Sequence, residues 1–212
     1  VLSKEACEKL TLAERSLGGG VGGLPMAIKD LANVKGFKTT EGSPLYSERV
    51  AQKDDQMVAR LRAAGALFIG KTNTPEFGLG SNTFNPVYGN TKNPYDLTKT
   101  CGGSSGGAAV ALATRMLSIS DGSDMMGSLR NPAAWNNVYG LRPTWGLVPP
   151  EPSGEIFLSQ LSTLGPMARS PKDLALLLDV QANHFDNKSY VSQSKSFSNF
   201  TAQPRMKGIK IG

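Results

Sequence analysis

The sequence predicts an α/β fold, with helices packed against a sheet. Three observations carry that expectation. Gln56 to Gly65 has helical spacing and is followed after a tight turn by the apolar run Ala66-Leu67-Phe68-Ile69-Gly70. The alanine-rich stretch Ala108 to Ala113 leads into Leu117-Ser118-Ile119-Ser120-Asp121, a second helix-then-strand pair. Ser170-Pro171-Lys172-Asp173 opens a third helix with a serine cap, proline in the first turn and an acidic residue at the capping-box position.

Taken in order, residues 3 to 16 form a short amphipathic helix that Ser3 can cap. Gly18-Gly19-Gly20-Val21-Gly22-Gly23 ends it and reads as a flexible connection. Met26, Ala27 and Ile28 form a short apolar strand that delivers Lys29 to its end. Asp54 and Asp55 precede the helix at 56 to 65, and Gly65 stops it, so the strand at 66 to 70 reads as buried. Residues 71 to 100 are irregular and rich in Asn, Thr, Pro and Gly. Their aromatics, Phe77, Phe84, Tyr88 and Tyr95, predict an ordered, packed loop. A helix over about 105 to 116 comes next, followed by a short helix from Ser128 to Asn136 and an extended segment from Val138 to Thr144. From these patterns the core is expected over residues 1 to 182, a polar linker over 183 to 206, and the start of a further strand over 207 to 212.

A chain of 212 residues, 39% hydrophobic and 19% charged, has material for one sizeable core. The net charge of +6 is scattered, without a basic run, which argues against a nucleic-acid partner. Two cysteines, Cys7 and Cys101, and one histidine, His184, show no metal-ligand spacing. Cys101 reads as a small buried residue. No apolar run of about 18 residues is present, which argues against a membrane span. No metal, cofactor or membrane is expected, and a reducing cytoplasm is the expected location.

The chemistry concentrates in Cys101-Gly102-Gly103-Ser104-Ser105-Gly106-Gly107, four glycines around two adjacent hydroxyls, directly before a helix. Such a loop offers hydroxyls and free backbone N–H groups to developing negative charge. A phosphate-binding loop would end in Gly-Lys-Ser/Thr, and no lysine stands there. The second stretch, Asp121 to Ala133, places Ser128 in a similar setting. A nucleophilic serine needs a base. His184 lies in a polar segment beyond the last helix, which disfavours a Ser-His-Asp triad. A lysine can serve if burial lowers its pKa. Lys29 is the best placed of the lysines, although an edge-strand lysine reaching solvent fits the same pattern. The residues alone reach as far as a serine–lysine hydrolase.

Three motifs then identify a resemblance. Gly23-Leu24-Pro25-Met26-Ala27-Ile28-Lys29-Asp30, Gly102-Gly103-Ser104-Ser105-Gly106-Gly107, and Gly122-Ser123-Asp124-Met125-Met126-Gly127-Ser128-Leu129-Arg130 resemble those of the amidase signature family in order and spacing. Pro132-Ala133 and Gly140-Leu141-Arg142-Pro143-Thr144 continue the third. The resemblance implies a mixed β-sheet core flanked by helices. It also implies Ser128 as the acylated nucleophile, Ser104 as a bridging serine after a cis peptide bond, and Lys29 as the base acting through Ser104. The implied oxyanion hole is the backbone N–H groups of Met125, Met126, Gly127 and Ser128, with Gly103, Ser105, Asp124 and Arg130 as supports.

The implied activity is hydrolysis of small amides, with aryl amides, esters and carbamates (urethanes) in the same class. The partner is the small-molecule substrate, and the chain is a monomer or homodimer. Alternatives within the resemblance are a subunit of a tRNA-dependent amidotransferase, which the Met-Met variant ranks lower, and an inactive scaffold. Two departures stand out. Met126 occupies a usual glycine position, where it is expected to narrow or reshape the acyl pocket. Family domains are also roughly twice this length, so the chain reads as a shortened member.

Overall fold

The computed structural model describes residues 21–151, 160–182 and 196–198. The expected helix at 3 to 16, most of the 183 to 206 segment, His184 and the strand expected at 207 to 212 lie outside the described residues. Thirteen regular elements of helix and strand follow one another in the described parts. β1 (Pro25–Lys29) is followed by α1 (Gln56–Ala63) and β2 (Leu67–Thr72). Two small hairpins come next: β3 (Phe84–Asn85) with β4 (Gly89–Asn90), and β5 (Lys92–Asn93) with β6 (Asp96–Thr100). Then come α2 (Gly106–Ala113), β7 (Ile119–Asp124), α3 (Arg130–Trp135), β8 (Tyr139–Gly140), β9 (Thr163–Ala168) and α4 (Pro171–Ala182).

The sheets are mixed. β1 and β2 pair in parallel, with α1 in the crossover, whereas β7, β9 and β8 form an antiparallel sheet in the order β7-β9-β8. The larger apolar cluster joins β1 (Met26, Ile28), α1 (Met57, Val58, Leu61), β7 (Ile119) and α4 (Leu177, Leu178). A smaller one, with Ala108, Ala109, Leu112, Leu129 and Met167, seats α2 on the antiparallel sheet. Burial of these side chains is the main stabilising term. The α4 cap forms as its sequence predicts. Ser170 Oγ accepts from Asp173 N at 3.1 Å and donates to Asp173 Oδ2 at 2.7 Å.

Several elements differ from expectation. The end of the glycine run is an ordered turn: Gly23, at φ +75°, donates its N–H to Gly65 O at 2.8 Å, and Val21 is fully buried. β2 is only half-buried. The Arg62 guanidinium lies 4.7 Å from the centre of the Phe68 ring, so part of its outer face is covered by an amphipathic stem rather than by core. The aromatics at 77, 84, 88 and 95 contribute little core to the long loop: all four are at least 40% exposed, and among the described residues Phe77 alone of them makes a ring contact, edge-on to Tyr46 at 6.1 Å. Polar side chains order it instead. Asn85 Nδ2 donates to Asn73 Oδ1 and Thr74 O at 2.6 and 2.7 Å, and Thr83 Oγ1 donates to Gly102 O at 2.8 Å. Within 183 to 206, Phe197 packs against the larger cluster and donates its N–H to Asp179 Oδ1 at 2.6 Å. Among the described residues no helix is long and apolar enough to cross a membrane.

Candidate active site

Lys29 ends β1, and its side chain is turned inward at 2% exposure, so it is not a solvent-reaching edge lysine. The apolar strand buries Met26 and Ile28 on one side and leaves the next position at the loop formed by residues 101 to 107. There the amine meets three hydroxyls: Ser104 Oγ at 2.6 Å, Ser105 Oγ at 2.9 Å and Ser123 Oγ at 2.9 Å. Burial drives the lysine pKa from 10.5 down to about 7, against the opposing pull of the Asp121 and Asp124 charges.

The loop that brings Ser104 and Ser105 to Lys29 is shaped by what glycine permits. The Gly103–Ser104 peptide bond is cis, as the motif resemblance implied. A Cβ on Gly107 would sit 2.3 Å from Asn73 N, and one on Gly106 2.2 Å from Thr83 Oγ1, so only glycine lets the loop enter α2 this closely. Ser105 stands at the N-cap of α2 without capping it. Its hydroxyl accepts from Lys29 and donates to Ser123 O at 3.3 Å instead. Cys101 is buried beside the loop, its Sγ donating to Thr91 O at 3.0 Å, and burial pushes the thiol pKa up.

Ser128 lies on a turn wrapped around Asp124. Burial works to raise the Asp124 pKa, but Arg130, Arg142 and the N–H groups of Gly127 and Leu129 outweigh it and hold the carboxyl well below the usual range. The contacts are Arg130 Nε at 2.9 Å, Arg142 Nη1 at 2.8 Å, Gly127 N at 2.8 Å and Leu129 N at 3.2 Å. This wrapping delays the helix expected from Ser128, and α3 begins at Arg130. It also engages one N–H of the expected oxyanion set. The Gly127 N–H is committed to Asp124, whereas the N–H groups of Met125, Met126 and Ser128 carry no hydrogen bond among the described residues. Ser128 O accepts from Ser105 N at 3.3 Å, which ties the turn to the glycine loop.

Met126 is not among the residues with positive φ, and Gly127 takes φ +114° in its place. The methionine side chain is 85% exposed, so it neither strains the turn nor narrows a pocket among the described residues. A cavity of about 280 Å³ opens on the flank of Lys29, with Asp121, Gly122, Ser123, Trp145 and Leu164 in its walls, and neither Met125 nor Met126 reaches it. Among the described residues no group of three His, Cys, Asp or Glu could hold a metal ion.

Sequence reasoning passed over Ser123, Asp121 and Arg142 as site residues. Ser123 was legible, because alternation on a strand puts it on the same face as Asp121. Arg142 was not, because its reach to Asp124 depends on how the chain returns after α3. Arg142 also donates to Asp124 O at 2.5 Å and Leu161 O at 2.7 Å.

Comparison with known proteins places the chain in a family. The family model Amidase matches residues 2–212. The chain is 42% identical over 208 residues to the A-type subunit of a glutamyl-tRNA(Gln) amidotransferase from Alkaliphilus metalliredigens, covering 97% of this chain and 42% of that protein. Peptide amidase from Stenotrophomonas maltophilia superposes with a TM-score of 0.79 at 34% identity, over 93% of this chain and 42% of that one. A 6-aminohexanoate cyclic dimer hydrolase superposes with a TM-score of 0.77 at 34% identity, over 84% and 38% respectively. The chain thus spans less than half the length of the relatives it matches. With the family model matched over residues 2–212, the chain belongs to the amidase signature family.

Proposed function

We propose that these residues are the reacting groups of a hydrolase of small amides, working through an ester of Ser128. The observation that carries this reading is the surrounding of the Lys29 amine, which is buried and hydrogen-bonded to three hydroxyls, with no ion pair to a carboxylate among the described residues. A neutral amine has two N–H donors and one lone pair. Ser105 spends its own proton on Ser123 O, so it accepts from the lysine. With Ser123 as the second acceptor, the lone pair is left for Ser104, the shortest contact at 2.6 Å. A pKa of about 7 keeps a useful fraction of the amine neutral near neutral pH.

In the reaction, neutral Lys29 takes the proton of Ser104 as Ser104 takes that of Ser128. Ser128 Oγ attacks the carbonyl carbon, and the oxyanion is received by the N–H groups of Met125, Met126 and Ser128. The proton returns through Ser104 to the leaving nitrogen as the C–N bond breaks. Water, deprotonated by the same relay, then cleaves the ester and frees the acid. Esters and carbamates follow the same path. Met125, 45% exposed, adds an apolar side chain to the turn that carries Ser128, which supports an apolar acyl or aryl group.

A second reading is favoured by the relatives that carry the name of a glutamyl-tRNA(Gln) amidotransferase. In it the amide is that of glutamine and the nitrogen passes to a partner-bound acceptor. One experiment addresses both. The purified chain is treated with a fluorophosphonate probe, then assayed on nitroanilide, nitrophenyl ester, carbamate and glutamine. Labelling at Ser128, lost in Ser128→Ala, with turnover of the aryl substrates is the expected result. Ammonia release from glutamine alone favours the second reading. Folded protein that the probe does not label overturns both, and leaves a scaffold that binds without turnover.

A further inference from the structure

β1 and β7 lie side by side, yet they share no backbone ladder. β1 pairs with β2, and β7 with β9. Two side chains of β7 span the seam. Ser120 Oγ donates to Ala27 O at 3.3 Å, and Asp121 Oδ1 accepts from Lys29 N at 3.0 Å. The main chain of the residue with the buried amine is therefore fixed across the seam by one carboxylate. The next residue, Gly122, runs so close to the glycine loop that a Cβ there would stand 2.9 Å from Ser105 Oγ, so the seam has little slack.

The charges around this point are nearly all matched. Asp30 is paired with Lys71 at 3.2 Å, and Asp124 with Arg130 and Arg142. At the cavity, Asp55 accepts from Asn33 N and Nδ2, and Glu151 is paired with Lys53 at 2.9 Å. Asp121, 1% exposed, is the one fully buried carboxylate among the described residues with no cation at ion-pair distance. It shares the wall of the 280 Å³ cavity with Lys29 and Ser123. Burial raises its pKa to about 6, with the Lys29 N–H and the Lys29 and Lys71 charges opposing.

The geometry points to Asp121 as a positioning residue for Lys29: it holds the end of β1 across an unladdered seam and supplies an unpaired negative charge that opposes loss of the proton from the amine. This rests on the reading of Lys29 as the base. Asp121→Asn keeps an acceptor for Lys29 N and removes the charge; Asp121→Ala removes both.

The titration of the Lys29 amine, followed by NMR in lysine-labelled protein and assigned with Lys29→Met, reads the charge without requiring turnover. Asp121→Asn should move the midpoint to lower pH by about half a unit or more, since removing an opposite charge favours the neutral amine. The acid limb of Ser128 labelling by the fluorophosphonate should move with it. Asp121→Ala should in addition lower the plateau labelling rate about tenfold or more, by loosening the seam. A midpoint in Asp121→Asn that coincides with wild type overturns the inference, and this variant decides alone if Asp121→Ala does not fold. Failure of the wild type to label would overturn the hydrolase reading, while the NMR midpoints would still decide the role of Asp121.

Discussion

Two buried ionisable groups meet the same end of β7, the Lys29 amine on Ser123 and the carboxyl of the next residue, Asp124, and they are treated in opposite ways. At Lys29, an amine is surrounded by Ser104, Ser105 and Ser123, all neutral, and burial pulls its pKa down to about 7. At Asp124, a carboxylate is clamped by two guanidinium groups and three backbone donors, and its pKa is held well below the usual range. One setting makes a charge easy to lose and the other makes a charge hard to lose. A base must shed its proton to work, whereas a scaffold for a reactive turn must not change with pH.

The sharpest way to break this contrast is to remove the reactive groups. Ser128→Ala and Lys29→Ala should each lower acylation about a thousandfold or more, and Ser104→Ala about a hundredfold, as measured by fluorophosphonate labelling rates. Wild-type rates in Ser128→Ala would sink the assignment. In the turn, Asp124→Asn should cost about 2–3 kcal/mol of stability in denaturant unfolding, because the buried acceptor of two guanidinium groups and three backbone N–H groups loses its charge.

The pH dependence should have a defined sign. Between about pH 7 and 10.5 the unfolded chain holds the lysine proton and the folded chain does not. Wild-type stability relative to Lys29→Met should therefore rise with pH in that window, by up to about 1.4 kcal/mol per unit. Asp124 acts at the acid end. Its contribution is present above the usual carboxylate pKa and is lost as the pH falls below it. A flat difference curve for Lys29→Met above pH 7 would refute the neutral amine.

Smaller effects separate the two arginines. Arg142 also donates to the carbonyls of Asp124, Met125 and Leu161, so Arg142→Lys should cost about 1–3 kcal/mol by leaving part of that set unpaired. Arg130→Lys, on the open side of the turn, should cost less in the same assay. Met126→Gly should change labelling rates by no more than about twofold, since its side chain points to solvent and its backbone does not need φ > 0.

Much of the site was legible without coordinates, because its chemistry is written in local runs. Glycine on both sides of Ser104-Ser105 requires a tight loop, the apolar strand before Lys29 carries a lysine inward or to an edge, and Ser170-Pro171-Lys172-Asp173 opens α4 as read. The aromatics of the long loop misled, because an aromatic residue in a loop reports order only if something covers it. Asn73, Asn85 and Thr83 hold that loop through hydrogen bonds that no apolar periodicity reveals.

The sequence by itself determined the helix and strand alternation, the glycine-framed hydroxyls and the family, since each depends on residues close together along the chain. Only the tertiary structure decided that Lys29 is buried among hydroxyls rather than exposed, that Asp121 reaches its backbone across 92 residues of sequence, and that Gly127 spends its N–H on Asp124. These outcomes depend on which elements lie side by side and on how much water remains between them. Desolvation and hydrogen-bond partnership are properties of that packing, not of any one stretch of chain.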